Sequence, residues 1–426
     1  MDKEHNYPFI LVSGMFSFGE EEGLSKVFPY FGFWKTDVRK LFNGMGVECY
    51  NPSSGPFSSA WDKACEVYAA LFGKTVDYGK AHSEKYGHER YGRTYEKALL
   101  PDWGKIDSEG NTKKVNLFGY SFGAPTERTL ANLLYYGSEE ERAVTPEDEL
   151  SDLFKGGHTD WIHSIVSASG TNNGTSFIYA LEALKLLNFA ETAVYGMGSF
   201  ISHTPISKVY DFRLDHFGVT KAPSAKNLDF KINAKNVKKL VHNEDNMFYD
   251  LYPHRAKELN EQLDIFDNIY YISYSGCSTK EVLGVDMPSK YTWKFPIFFA
   301  SGLATGLYRS KRSDNGRIPI DKSWGASDGV CNVKSSQYPM SDPYRFTTLN
   351  DEIKPGIWNV MPVEYTKTHM SYTGMGENNL NYMNFFIDIY NRVSSLKTID
   401  SAKVLEYTVP SFETTDSPEL LEKSIG

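Results

Sequence analysis

Cysteine is scarce. Cys49, Cys65, Cys277 and Cys331 are the only four in 426 residues, and no two form a C-x-x-C pair. They declare neither a redox dithiol nor a zinc knuckle, although one or two disulfides stay open. No uninterrupted apolar stretch reaches roughly 18 residues, so nothing in the chain reads as a transmembrane helix. Basic residues are outnumbered, 45 Lys and Arg against 54 Asp and Glu, for a net charge of −9. With no Lys/Arg run able to track a phosphate backbone, nucleic acid and anionic membranes are disfavoured as partners. Internal repeats and low-complexity tracts are also missing. Met1 to His5 runs almost directly into Pro8-Phe9-Ile10-Leu11-Val12, which leaves no room for a charged and then apolar secretion signal. Either the chain is cytosolic or Met1 replaces a removed leader.

What is present is a hydrophobic fraction of 41%, enough for a large core. The aromatic share of 15% suits either an aromatic core or greasy and polymeric ligands. Length alone allows two or three domains or one α/β core with long insertions. Residues 8–14 read as a buried strand ending in a glycine turn, and Phe33 to Phe42 as a helix. Val47 to Tyr50 is a short strand, and Ser58 to Phe72 carries apolar residues at helical spacing. From Gly73 to Lys113 the chain turns polar and histidine-bearing without a clean period, as an insertion would. Trp161 to Ala168 and Ile269 to Tyr274 are further strands. Ser176 to Ala190 reads as one helix with a broad apolar face, either a core helix or a mobile lid. Tyr382 to Val393 is a final helix. Alternating strands and helices predict a mainly parallel sheet covered on both faces.

The chemistry centres on Gly119-Tyr120-Ser121-Phe122-Gly123, between the strand-like Val115 to Phe118 and the helix-like Ala124 to Leu134. A serine between glycines on a strand-to-helix turn is a candidate nucleophile elbow. Its hydroxyl needs a histidine held by a carboxylate, and α/β-hydrolases order these Ser, Asp or Glu, His. His369 is the last histidine of the chain and precedes the final helix, which makes it the candidate base. Asp328, in an Asp-Gly turn, is the preferred carboxylate and Asp321 the alternative. Two backbone N–H groups would complete an oxyanion hole, from Phe122 and from Met15 after the first strand. His82 and His88 stand six residues apart, a spacing that does not share a helical face. They are either two solvated loop histidines or, with two carboxylates, a closed tetrahedral zinc site.

Several longer blocks are recognisable. They are Gly55 to Glu66, Gly73 to His82, Gly87 to Arg93, Val209 to Asp215 and Ser327 to Asn332. On these the chain resembles the zinc-containing bacterial lipases of thermophilic bacilli and staphylococci, within the α/β-hydrolases, from about Phe9 to the His369 region. The resemblance implies one α/β-hydrolase domain over 1–426, a zinc-binding insertion at 73–113, and a lid with its support at 175–250. It implies a triad of Ser121, Asp328 and His369, and a structural zinc held by Asp62, His82, His88 and Asp250. The expected reaction is hydrolysis of acylglycerols at an oil-water interface. Related esterases of anaerobic bacteria suggest polyesters as the alternative, and the family implies an extracellular setting. The family's first-strand histidine is Ser13 here, and Phe122 stands where Gln or Met is common, so the pocket shape should differ. Acidic positions of the family's calcium loop fall at Ser371 and Gly376, with Glu377 close by, so calcium is not expected. Two other classes stay open: a zinc hydrolase using the four metal residues, and a silent binding module.

Overall fold

The first strand shows why the sheet forms. Phe9-Ile10-Leu11-Val12 is apolar without interruption and buried on both sides, as a strand flanked by parallel neighbours must be. The computed structural model describes residues 4–221 and 230–401. Among these, seven strands form one parallel sheet: β1 (Phe9–Val12), β2 (Cys49–Tyr50), β3 (Val115–Tyr120), β4 (Ile162–Ala168), β5 (Tyr270–Tyr274), β6 (Tyr344–Phe346) and β7 (Trp358–Val360), in the spatial order β6-β7-β5-β4-β3-β1-β2. Val12 pairs with Gly119, Tyr120 with Ala168, and Ala168 with Tyr274. The carboxyl ends of four central strands therefore finish on one edge, where open α/β sheets place their chemistry.

Strand periodicity sends alternate side chains to opposite faces. Ile10, Val12, Leu117 and Ile165 pack with Ala64, Val67, Leu130 and Leu134. Phe9, Leu11, Phe118 and Val166 pack with Val38, Phe42, Phe386 and Ile389. The second face is covered by α1 (Val38–Gly44) and the first by α2 (Ala60–Phe72) and α3 (Gly123–Tyr136). The predicted helix over Phe33 to Phe42 starts only at Val38, because the Asp37 carboxylate takes the Arg39 N–H and caps it there.

The apolar stretch read as one helix from Ser176 to Ala190 is two: α4 (Ser176–Ala183) and α5 (Leu187–Ser202). Lys185 breaks it with φ of 57°, a conformation incompatible with a continuing helix. Both helices pack over Phe57 and Phe122 through Ile178, Leu187 and Tyr195. Residues 222–229, inside the predicted lid-support stretch, lie outside the described residues. The final helix α6 (Asn379–Ser394) completes the second face. Between 73 and 113 the described structure is an antiparallel pair, Thr75–Asp77 with Tyr91–Thr94, enclosing the helix Lys80–Tyr86. No helix among the described residues is long and apolar enough to cross a membrane.

Candidate active site and metal centre

Ser121 leaves β3 with φ of 56° and is 6% exposed. That left-handed turn is uncommon for a residue with a side chain. Backbone bonds hold it, since Ser121 N–H donates to Ala168 O and its own carbonyl accepts from Thr171 and Ala124. The close crossing of α3 over β1 requires Gly123, where a Cβ would lie 2.1 Å from Val12 O. Gly14 answers the same constraint from the other side, because a Cβ there would lie 2.7 Å from Ser121 Cβ. The turn after β1 is thus pressed against the serine.

His369 Nε2 lies 3.0 Å from Ser121 Oγ, and His369 Nδ1 lies 2.8 Å from Asp328 Oδ2. Since a carboxylate oxygen accepts, Nδ1–H donates and Nε2 presents its lone pair to the serine hydroxyl. Both partners are locked. Asp328 Oδ1 accepts from the N–H groups of Val330 and Cys331 at 2.9 and 2.7 Å, and His369 N–H donates to Asp328 O at 2.9 Å. Tyr120 donates its hydroxyl to His369 O at 2.8 Å. The structure therefore brings together the three residues that chain order singles out. Asp321, the alternative carboxylate, is spent capping its own turn at Ser323. Phe122 follows the serine in the chain and Met15 follows Gly14, and among the described residues neither N–H donates to a backbone acceptor.

A second cluster forms where α2 meets the 73–113 stretch. One ligand atom each from Asp62, His82, His88 and Asp245 lies within 4.8 Å of all the others. Asp62 sits in the first turn of α2, started by Ser59. The Glu141 carboxylate takes the N–H groups of Ala81 and His82 and so fixes the helix carrying His82. His88 Nδ1 donates to Glu89 O at 2.9 Å, which leaves the Nε2 lone pair facing Asp245 Oδ2 at 3.0 Å. A ring nitrogen aimed at a buried carboxylate oxygen needs a proton or a metal ion between them, and Asp62 Oδ1 is likewise buried without a hydrogen-bond partner, its nearest charged neighbour being His82 Nε2 at 3.3 Å. These residues fit a metal ion.

A family model described as "Lipase-like, C-terminal domain" matches residues 5–396. Lipase 1 of Staphylococcus aureus is 34% identical over 373 residues, covering 86% of this chain and 50% of that protein. The chain belongs to the staphylococcal lipase family. It spans about half the length of the curated relatives it matches. Among solved structures, Staphylococcus hyicus lipase aligns with a TM-score of 0.79 and 29% identity over 92% of this chain and 96% of that one. EstA from Clostridium botulinum aligns with a TM-score of 0.76 and 32% identity over 94% and 90%.

One residue expected from the lipase resemblance is displaced. Asp250 is not in the metal cluster, and Asp245 takes its place. Asp250 ends the short helix Met247–Asp250, and its carboxylate accepts the N–H of Ala60 at 2.8 Å, satisfying a free donor at the start of α2. Burial pushes that carboxyl up to about 7. Asp245 lies in the preceding turn, its N–H bound to Asn243 Oδ1, and projects to His82 and His88. His216 escaped sequence reasoning altogether. Its Nε2 holds Asp62 Oδ2 at 3.0 Å, a supporting bond of the kind that orients metal ligands. The only signal was its place directly after the Val209 to Asp215 block.

Beside His369, Ser371 accepts the Thr368 N–H and closes the turn that starts at His369. Lys367, buried over the rings of Tyr372 and Phe385, sets its ammonium 3.8 Å from both Glu364 and Glu377.

Proposed function

We propose that the chain is a serine carboxylic ester hydrolase. The observation that carries this reading is the continuous hydrogen-bond chain Asp328, His369, Ser121, at 2.8 and 3.0 Å. His369 Nε2 accepts the Ser121 proton as Oγ attacks the ester carbonyl carbon. The N–H groups of Met15 and Phe122 hold the oxyanion that forms. His369 then returns the proton to the departing alkoxide, leaving an acyl group on Ser121. Water, deprotonated by His369, attacks that acyl carbon and frees the acid and the serine. Asp328 keeps His369 in the tautomer these steps require and stabilises the imidazolium. The tight approach of Gly14 to Ser121 supports Met15 as the second donor.

Exposed apolar residues near the site support a substrate class. Leu184, Phe189 and Phe200 on the α4–α5 segment are 61%, 75% and 60% exposed, while the same segment packs with Phe122 through Ile178, Leu187 and Tyr195. Exposed apolar side chains on a segment packed against the residue after Ser121 support water-insoluble esters, acylglycerols first, with α4 and α5 as the lid. Zinc is the metal that two imidazole nitrogens and two carboxylate oxygens suit best, with Asp62, His82, His88 and Asp245 as its holders. When bound, such an ion cross-links three chain segments. Four protein donors close the tetrahedral set, which makes its role structural.

Release of acid from a triglyceride emulsion, a soluble short-chain ester and a polyester film, by wild type and Ser121→Ala, tests the reading. The emulsion should be the preferred substrate, with Ser121→Ala reduced by at least about 1,000-fold on all three. Near-full activity in Ser121→Ala overturns the mechanism. Preference for the film reassigns the substrate to polyesters.

A further inference from the structure

Lys63 follows the metal-cluster residue Asp62 in α2, and it is completely buried. Burying an ammonium is costly unless its donors are used, and here all three are. Nζ donates to Ser54 Oγ at 2.9 Å, to Gly55 O at 2.9 Å and to Ser17 Oγ at 3.2 Å. Ser17 in turn donates to Ser54 O at 3.0 Å. Two segments are thereby fastened to one cation. One is residues 51–55 after β2. The other is the turn after β1, which contains Gly14 against the nucleophile, Met15, and Phe16 in a left-handed conformation with φ of 55°.

That turn needs fastening. A non-glycine residue at positive φ costs of order 1–3 kcal/mol and persists only where surroundings impose it. Asn51 adds to the hold, its amide donating to Leu11 O and Ser13 Oγ at 2.9 Å each. Below the cation, Glu66 accepts from Gly55 N–H at 2.5 Å and from the Tyr78 hydroxyl at 3.0 Å, so the 51–55 segment is itself fixed. Lys63, together with the direct Ser17–Ser54 bond, carries this rigidity across to Ser17.

We propose that Lys63 is a positioning residue for the oxyanion turn, holding Ser17 so that the Met15 N–H stays aimed at the site of charge development. The inference rests on the ester-hydrolase reading above. Lys63 touches neither substrate nor the reacting atoms and acts through the turn. A donor displaced by a fraction of an ångström in the oxyanion hole weakens transition-state binding far more than ground-state binding, so the effect belongs in kcat.

The test compares Ser17→Ala, Lys63→Met and Lys63→Arg with wild type. It reads kcat and KM on p-nitrophenyl butyrate, and the rate at which a p-nitrophenyl phosphonate labels Ser121, since that adduct places an oxyanion in the same position. Lys63→Met should lower kcat and the labelling rate together by about 10- to 100-fold, with KM within about threefold. Lys63→Arg should restore most of the loss. Ser17→Ala removes two bonds, the one accepted from Lys63 Nζ and the one donated to Ser54 O, at little cost in volume and should lower both rates by about 5-fold. If Lys63→Met does not fold, Ser17→Ala decides alone. Ser17→Ala rates within about twofold of wild type, or losses confined to KM, overturn the proposal. Failure of the phosphonate to label wild-type Ser121 overturns the hydrolase reading instead, so the two failures are told apart.

Discussion

Replacing Asp328 by asparagine probes the hydrogen-bond chain where its geometry leaves least freedom. Asp328 Oδ1 is held by two backbone donors, Val330 N–H at 2.9 Å and Cys331 N–H at 2.7 Å. In Asp328→Asn those donors keep the amide oxygen at the Oδ1 position and force the NH2 group toward His369. An amide N–H facing Nδ1 at the present 2.8 Å can pair only with a lone pair. His369 must then carry its proton on Nε2, the atom that should accept from Ser121 at 3.0 Å. The base is inverted while the fold is kept. A wrong tautomer in such a triad costs about 10,000-fold in kcat, which corresponds to about 5.5 kcal/mol of transition-state stabilisation. Initial rates on a soluble p-nitrophenyl ester near neutral pH measure it, with the melting temperature confirming an intact fold. Retention of more than about a tenth of wild-type kcat would rule out His369 as the general base held by Asp328, because an inverted tautomer cannot support general-base catalysis at that level.

Metal analysis should give about one zinc per wild-type chain, lost together with several degrees of melting temperature in Asp245→Ala. Asp250→Ala should keep its zinc and lose about 1 kcal/mol for the helix-end hydrogen bond from Ala60. Asp342 accepts from Arg128 at 2.8 Å and from the Trp358 indole at 3.0 Å in a buried setting, so Asp342→Leu strands a guanidinium and should cost about 3–5 kcal/mol by denaturant unfolding. Glu191, in α5, is pushed up to about 7 by burial. A carboxyl with a raised pKa stabilises the packed state while protonated, so α5 packing should weaken as pH rises from about 4.5 through 7. Hydrogen exchange in Leu187–Ser202 should then be faster at pH 8 than at pH 5 beyond the intrinsic rate change, and Glu191→Gln should abolish that difference.

The parts of the site that chain order and local signals could specify were legible before the fold. Gly119 to Gly123 between an apolar strand and a helix marks Ser121. The sequence Ser121, Asp328, His369 follows the order that a strand-end serine, a late turn and a final loop impose. The metal residues show where such reasoning stops. Asp245 and Asp250 lie five residues apart in one acidic, aromatic stretch, and nothing local separates them. What separates them is tertiary: the free N–H of Ala60 captures Asp250, while the His82 and His88 rings meet Asp245. The break between α4 and α5 was hidden for a similar reason, since Lys185 adopts its left-handed turn without glycine or proline to announce it. His216 and Lys63 matter through partners about 150 and 46 residues away, Asp62 and Ser17, which no periodicity encodes.

We propose Ser121 as the nucleophile of an ester hydrolase whose metal is structural. Titrating the zinc-loaded protein with a p-nitrophenyl phosphonate, and following intact mass, peptide mapping and residual esterase activity together, tests it most directly. One adduct per chain is expected, confined to the peptide containing Ser121, with activity falling in proportion and zinc retained. An adduct elsewhere, or esterase activity that persists in fully labelled protein and disappears only when zinc is stripped from the folded chain, would contradict it.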